Sequence, residues 1–241
     1  AGRQLMVGLG VPLTIFGASA AKVFTDLEKA TVAFKRVYGD LGVSEQEKDA
    51  ALAGIRELAS EFTKYGIAVS DTIDLSAKAA AAGFQGEDLV AQTTEATRLA
   101  TLGQIDYQQA LGATITLNSA FGVETEQLAD KINFLNAAEN QTLLSLDDIS
   151  RAIPRVGPVV RQLGGDVEDL AVMMTALREG GVTAEQGANA IKSGLASLIN
   201  PTDKAVKVLK GYGINIKSIV KENEGELLPT IQAAAAAFDT L

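Results

Sequence analysis

The stretch Met174-Thr175-Ala176-Leu177-Arg178-Glu179-Gly180-Gly181-Val182-Thr183-Ala184-Glu185-Gln186 (174–186) contains the end of one helix, a reversal and the start of the next. Upstream, Val167, Leu170, Ala171, Met174 and Leu177 recur at helical spacing and define one apolar face. Gly181 has no Cβ, so it can take the left-handed conformation that ends a helix, and Val182 can then fold back onto the last turn. Thr183 with Gln186 forms a capping box, in which each side chain serves the other residue's backbone N–H.

The same punctuation recurs along the chain. A glycine followed by an apolar residue stands at Gly42-Val43, Gly66-Ile67, Gly83-Phe84, Gly122-Val123 and Gly213-Ile214. Ser44 with Glu47 repeats the capping box, and Asn200-Pro201 predicts a further helix start with proline in its first position. Between the turns, one-sided apolar faces run through Phe24, Leu27, Thr31, Phe34 and Tyr38, through Leu52, Ile55, Ala59, Phe62 and Tyr65, and through Leu89, Thr93, Ala96 and Ala100. Successive turn glycines lie 24, 17, 39, 59 and 32 residues apart, which is too irregular for a solenoid. No segment pairs as a strand. The pattern predicts an all-α fold, a compact irregular bundle of roughly ten short helices joined by glycine-containing turns. Pro154 and Pro158 interrupt the apolar run from Ile153 to Leu163, which predicts a kink or break between Ile149 and Gly164 and a bent, buried connector from Arg155 to Val160.

Composition agrees with slim helices. Of 241 residues, 38 are Ala and only 12 are aromatic, so the core must be built from Ala, Leu, Ile and Val. The absence of His and Cys removes imidazole bases, thiolate nucleophiles, disulfides and thiolate zinc sites. The net charge of -9 is evenly spread, with 10 basic and 14 acidic side chains in residues 1–120 and 11 and 16 in residues 121–241. No basic half exists to neutralise phosphates, which disfavours a dedicated nucleic-acid binder.

The ends read differently from the middle. The chain begins with Ala1 and finishes in a helical pattern at Leu241, which reads as a segment of a longer polypeptide. From Leu5 to Ala21 no residue is charged, and Ala18-Ser19-Ala20 superficially resembles a signal-peptidase site. Gly8, Gly10, Pro12 and Gly17 make this stretch a poor continuous membrane span. Two parts are therefore expected: an apolar, Gly-rich N-terminal segment at 1–23 and a helical domain at 24–241.

Candidate chemistry is sparse. The carboxylate pairs Glu87-Asp88, Asp147-Asp148 and Glu168-Asp169 fall at predicted helix starts, where negative charge meets the positive end of the helix dipole. A glycosidase would need two carboxylates facing across a cleft with one pKa raised. Glu222, Glu224 and Glu226 lack the ligand alternation of an EF-hand. Gly8-Leu9-Gly10 has no preceding strand and is not a dinucleotide motif. Lys204, Lys207, Lys210, Lys217 and Lys221 form the one cationic stripe, interleaved with Val206, Leu209 and Tyr212 as in an amphipathic helix. Met173 and Met174 sit in a core face. No catalytic, cofactor-binding or metal-binding residue is expected, and no enzymatic activity.

From Ile153 to Ile214 the sequence resembles the core region of tailed-phage tail tape measure proteins. The residues that carry it are Ala152-Ile153-Pro154-Arg155-Val156-Gly157-Pro158-Val159, then Leu163-Gly164-Gly165-Asp166-Val167-Glu168-Asp169-Leu170-Ala171, Gly180-Gly181-Val182, Gly187 to Leu195, Asn200-Pro201-Thr202 and Leu209 to Ile214. A second block, Leu75-Ser76-Ala77-Lys78 through Ala82-Gly83-Phe84, and the entry Phe24 to Ala30 extend the resemblance over nearly the whole chain from Phe24. The resemblance implies a structural scaffold in the lumen of the tail tube or in the tail tip, which helps set tail length during assembly and leaves for genome ejection. It implies self-association, as a trimer by family habit, and contact with tail-tube subunits, distal tip proteins and assembly chaperones, and with the host envelope on ejection. The readings that compete with it are a membrane-active pore former and a generic helical adaptor.

Overall fold

A computed structural model describes residues 13–223 and 225–239. Among these residues the chain forms twelve α-helices and no strands, as the turn pattern predicts. They divide into two compact units at Val90/Ala91. The expected 23/24 division falls within the first helix, and residues 1–12 of the apolar segment lie outside the described residues.

The first unit contains α1 (Leu13–Asp40), α2 (Glu45–Phe62), α3 (Val69–Ala81) and the start of α4 (Gly86–Gly103). Its core is an i, i+4 stripe on α1, Ala30, Phe34 and Tyr38, set against Leu52, Ile55 and Ala59 of α2 and Ile73, Ala79 and Ala80 of α3. The rings of Phe34 and Tyr38 stack with centroids 5.3 Å apart. The Tyr38 hydroxyl accepts a hydrogen bond from the Gly86 N–H at 3.1 Å, so the polar end of this buried ring is satisfied at the start of α4. The outer members of the predicted faces do not join this core. Phe24 is 71% exposed, and Tyr65 is 72% exposed in a 3-10 turn that follows α2.

The second unit continues α4 and adds α5 (Tyr107–Ser119), α6 (Leu128–Gln141), α7 (Leu146–Gln162), α8 (Val167–Glu179), α9 (Ala184–Ile199), α10 (Asp203–Gly211), α11 (Ile216–Glu222) and α12 (Leu227–Phe238). Helix α7 is central and packs against α5, α6, α8 and α9. Its buried positions Ile149, Ala152, Ile153, Val156, Gly157 and Val160 follow the 3, 4, 7, 8 spacing of one helix face. At Gly157 a Cβ would strike the Phe121 ring, so this glycine lets α7 and the end of α5 approach closely.

The prolines do not break this helix. Pro154 and Pro158 are both inside α7, four residues apart and exposed, so they occupy its solvent face, where the backbone carbonyls they free can meet water. The segment from Arg155 to Val160 is thus a half-exposed helix and not a bent, buried connector. Magnitudes explain the correction. Each proline costs a helix interior about 3 kcal/mol, whereas burying Ile149, Ile153, Val156 and Val160 contributes about 1.5–3 kcal/mol each. Packing wins by a few kcal/mol, and it wins because the prolines avoid the packed face.

The turns form as read. Gly42, Gly66, Gly83, Gly122, Gly181 and Gly213 all have φ between 68° and 101°. At Gly181 the Val182 N–H donates back to the Leu177 carbonyl at 2.9 Å and the Gly181 N–H to Arg178 at 3.0 Å, which is a Schellman ending. The capping boxes at Ser44/Glu47 and Thr183/Gln186 are both present. One start is displaced: Asn200 closes α9, and Thr202 caps α10 by accepting from the Ala205 N–H, so Pro201 lies between the helices. The lysine stripe is also divided, with Lys204, Lys207 and Lys210 on α10 and Lys217 and Lys221 on α11.

Gly164, which the turn pattern did not single out, is the most confined reversal. Its φ is 82°, and a Cβ there would run into the Gly225 backbone. Gly181 has open space around the same hypothetical atom. Alanine at Gly181 is therefore expected to cost about 1–2 kcal/mol, the left-handed backbone penalty alone. Alanine at Gly164 adds the collision and is expected to cost about 3 kcal/mol or more. Urea unfolding followed by circular dichroism checks both values, and equal losses would remove the close approach as a source of stability.

Candidate functional site

The carboxylates come first, because they are the groups left for chemistry. Asp147 and Asp148 lie in the first turn of α7, Glu168 and Asp169 in that of α8, and Glu87 and Asp88 in that of α4. Asp169 and Asp166 form a reciprocal cap: the Asp166 N–H donates to Asp169 at 3.2 Å, and the Asp169 N–H to Asp166 at 2.8 Å. Burial raises the Asp169 pKa, with the neighbouring Asp166 and Glu168 charges adding to the effect of burial. These two neighbours lie on its own helix turn and do not face it across a cleft.

Asp147 belongs to a charged cluster where α7, α8 and the start of α9 meet. The cluster surrounds a hollow of about 460 Å³. Arg151 donates to Asp147 at 3.0 Å, Arg178 faces Asp148 at 3.4 Å, and Arg155 faces Glu185 at 3.6 Å. Each guanidinium thus has its own carboxylate, which makes the cluster a clasp between helices, balanced in charge. Gln109 of α5 also donates to Asp147 at 2.8 Å and to the Ser150 hydroxyl at 2.7 Å. Burial pushes the Asp147 pKa up, but the hydrogen bonds from Gln109 and Arg151 outweigh it and hold the carboxyl below its ordinary value of 3.8. It is ionised at neutral pH, the wrong state for a general acid.

An open apolar surface of the second unit lies along α8. On one side a hollow of about 700 Å³ is walled by Leu177 of α8, Ile191 and Leu198 of α9, Leu209 of α10, and Ile231 and Phe238 of α12. Its lining includes no charged residue. On the other side a hollow of about 510 Å³ lies between α6 and α8, lined by Phe134, Ala137, Ala138, Val172 and Thr175, with Glu179 at its end. Ala176, exposed on α8, lines both, so the two hollows adjoin at this residue.

Local sequence explains why these hollows stay open. Ala190 and Gly194, four apart on α9, and Ala234 and Ala235 of α12 are too short to fill the space between helices that larger residues hold apart. Helix α10 has no buried residue, so its Ala205 and Leu209 cover the larger hollow only in part. Carboxylate and lysine patterns miss this face. The signal that could have found it is Leu227–Phe238, which has no charge in its 12 residues yet buries only Leu227, Thr230 and Ala234.

Among the described residues no group of three or more His, Cys, Asp or Glu is arranged to hold a metal ion, and no helix is long and apolar enough to cross a membrane. Lys217 and Lys221 line a separate polar hollow with Gln162, Asn223 and Thr230, away from the α10 lysines in the chain and on their own short helix.

Among the described residues the chain is an all-α protein with paired charges, helix caps and apolar hollows between helices. Comparison with known proteins specifies it further: residues 55–241 match the family described as phage-related minor tail protein, and the chain belongs to that family. It is 22% identical over 215 residues to a tape measure protein of Pneumococcus phage Dp-1, a match that covers 89% of this chain and 18% of the relative. It is 24% identical over 160 residues to a probable tape measure protein of Escherichia phage P2, covering 66% of this chain and 20% of the relative. The chain therefore spans about a fifth of the length of these relatives. No solved structure matches it. The resemblance to tape measure proteins read from the sequence is borne out.

The charged clasp makes a pH prediction. A carboxyl with a lowered folded pKa stabilises the fold above its unfolded value and loses that contribution as pH falls through the folded value. Asp147 should thus contribute fully above about pH 5 and progressively less below 3.8. Asp147→Asn should lower the melting temperature at pH 7 and narrow its gap to the parent chain as pH falls towards 2. Thermal melts across this range check it, and a pH-independent gap would contradict it.

Proposed function

We propose that this chain is a helical node of a phage tail tape measure protein, a scaffold in the tail tube or tip that takes part in setting tail length and is released for genome ejection. The observation that carries the reading is the family match over 55–241 together with two tape measure relatives of which the matched residues cover only 18% and 20%. A chain with most of its mass elsewhere has room for long helical regions that would do the measuring, at about 1.5 Å per helical residue. This segment would then serve as a folded docking point.

The physical character of the segment supports that role. Asp147, Asp148, Asp166 and Asp169 are engaged in ion pairs and a reciprocal cap, where they hold helices. Distributed negative charge would keep the surface from adhering to DNA that shares the tail channel. Self-association, contact with tail-tube subunits, tip proteins and assembly chaperones, and contact with the host envelope are parts of this reading. The uncharged Leu5–Ala21 stretch is the part suited to an envelope contact; it precedes and then enters α1.

In-frame deletion of this segment from the parent phage gene tests the proposal. The expected result, by electron microscopy of lysates, is loss of tails or a broad spread of tail lengths. Tails of normal number and uniform, unchanged length would refute a role for this segment in assembly.

A further inference from the structure

The last three helices are held differently from the rest of the second unit. Helix α7 buries eight of its 17 residues, whereas α10 buries none, α11 only Ile216, and α12 only Leu227, Thr230 and Ala234. Every ion pair among the described residues joins residues no later than Glu185, so none ties these helices to the bundle on α7. Their attachment is apolar: Leu227 packs over Gly165, Val220 and Ile231 lie half-buried against the core, and α11 rests on α9.

The seam beneath them is poorly filled. The hollow of about 700 Å³ separates Leu177, Ile191 and Leu198 of α8 and α9 from Leu209, Ile231 and Phe238 of α10 and α12, and side chains that face a hollow lose the dispersion contacts of close packing. Within the segment, by contrast, the helices are tied to one another. The Thr230 hydroxyl of α12 donates to the Asn223 carbonyl at the end of α11 at 3.2 Å, and the Ile214 N–H before α11 donates to the Leu209 carbonyl of α10 at 2.9 Å. At 9, 7 and 12 residues, none of the three is long enough to stay helical alone once undocked. Weak attachment outward and linkage inward are the conditions for a segment that opens as a unit below global unfolding.

We infer that α10, α11 and α12 undock from α8 and α9 and melt together, reversibly, while the bundle on α7 stays folded, so that the apolar wall of the larger hollow is bared. Residues 200–202 are the joint: Asn200 closes α9 and Thr202 caps α10, so the segment leaves without breaking α9. Gly164 and Gly225 are the catch, since their backbones meet too closely to admit a Cβ at Gly164. The unit thus has two states that differ in exposure of the α8–α9 face, and these states do not rest on a role in phage tails.

Native-state hydrogen exchange of the 241-residue chain across sub-denaturing urea tests this. The amides of α10, α11 and α12 should share one opening with a single urea slope, and should exchange at least about 100-fold faster than the slowest amides of α7. Ile153→Val, a conservative change inside α7, should accelerate the α7 amides about fivefold and leave those of α10–α12 unchanged, because α7 keeps its packing in the open state. Gly164→Ala should accelerate the α10–α12 amides at least about tenfold, because undocking relieves the collision with Gly225. Circular dichroism would confirm that each variant folds, and the parent chain with Ile153→Val decides the matter if Gly164→Ala does not. Exchange of α10–α12 as slow as that of α7, unrelated urea slopes for the three helices, equal acceleration of both sets by Ile153→Val, or α10–α12 rates untouched in a folded Gly164→Ala chain would each overturn the inference.

Discussion

The second unit depends on the apolar face of α7. Ile149, Ile153, Val156 and Val160 are each at most 1% exposed, and the helices packed on them come from both before and after α7 in the chain. That burial keeps α7 helical through two prolines, and it positions α8 and α9 as neighbours on its surface. The clasp of Asp147, Arg151, Arg155 and Arg178 decorates the rim of the same contact and is partly exposed, so it adjusts helix placement more than it supplies stability.

Helix ends supply the second constraint. A short helix leaves its terminal N–H and C=O groups without intrahelical partners, and with twelve helices among the described residues these are numerous. Capping boxes satisfy the starts of α2, α8 and α9, and left-handed glycines with back-donating N–H groups satisfy ends such as that of α8. Because the apolar residue after the glycine also packs inward, as Ile67, Val123 and Ile214 do, each reversal adds to the core as well as closing a helix. Asp169 serves the same task, whereas Asp147, Asp148 and Glu168 lie in ion pairs.

A core made from small side chains has a consequence for function. Alanine and glycine allow close helix approach at Gly157, but where larger residues such as Leu177 and Leu198 hold helices apart they leave hollows. The same composition therefore yields tight contacts beneath α7 and an open apolar face along α8.

Much of this was legible from residue order. The helical class, the six glycine turns, the capping boxes at Ser44 and Thr183 and the placement of the carboxylate pairs in first turns all rest on relations between residues close in sequence. Such interactions are local, so spacing and residue type determine them. What sequence misread was decided at longer range. Whether Pro154 and Pro158 break α7 depends on which face is packed, the exposure of Phe24 and Tyr65 depends on where neighbouring helices end, and the hollows beside Ala176 exist because helices far apart in the chain meet with small residues facing each other. Sequence alone thus determined where the chain turns and how its helix ends are satisfied. Only the tertiary structure decided which apolar faces are covered, because burial is a property of the partners that packing brings together.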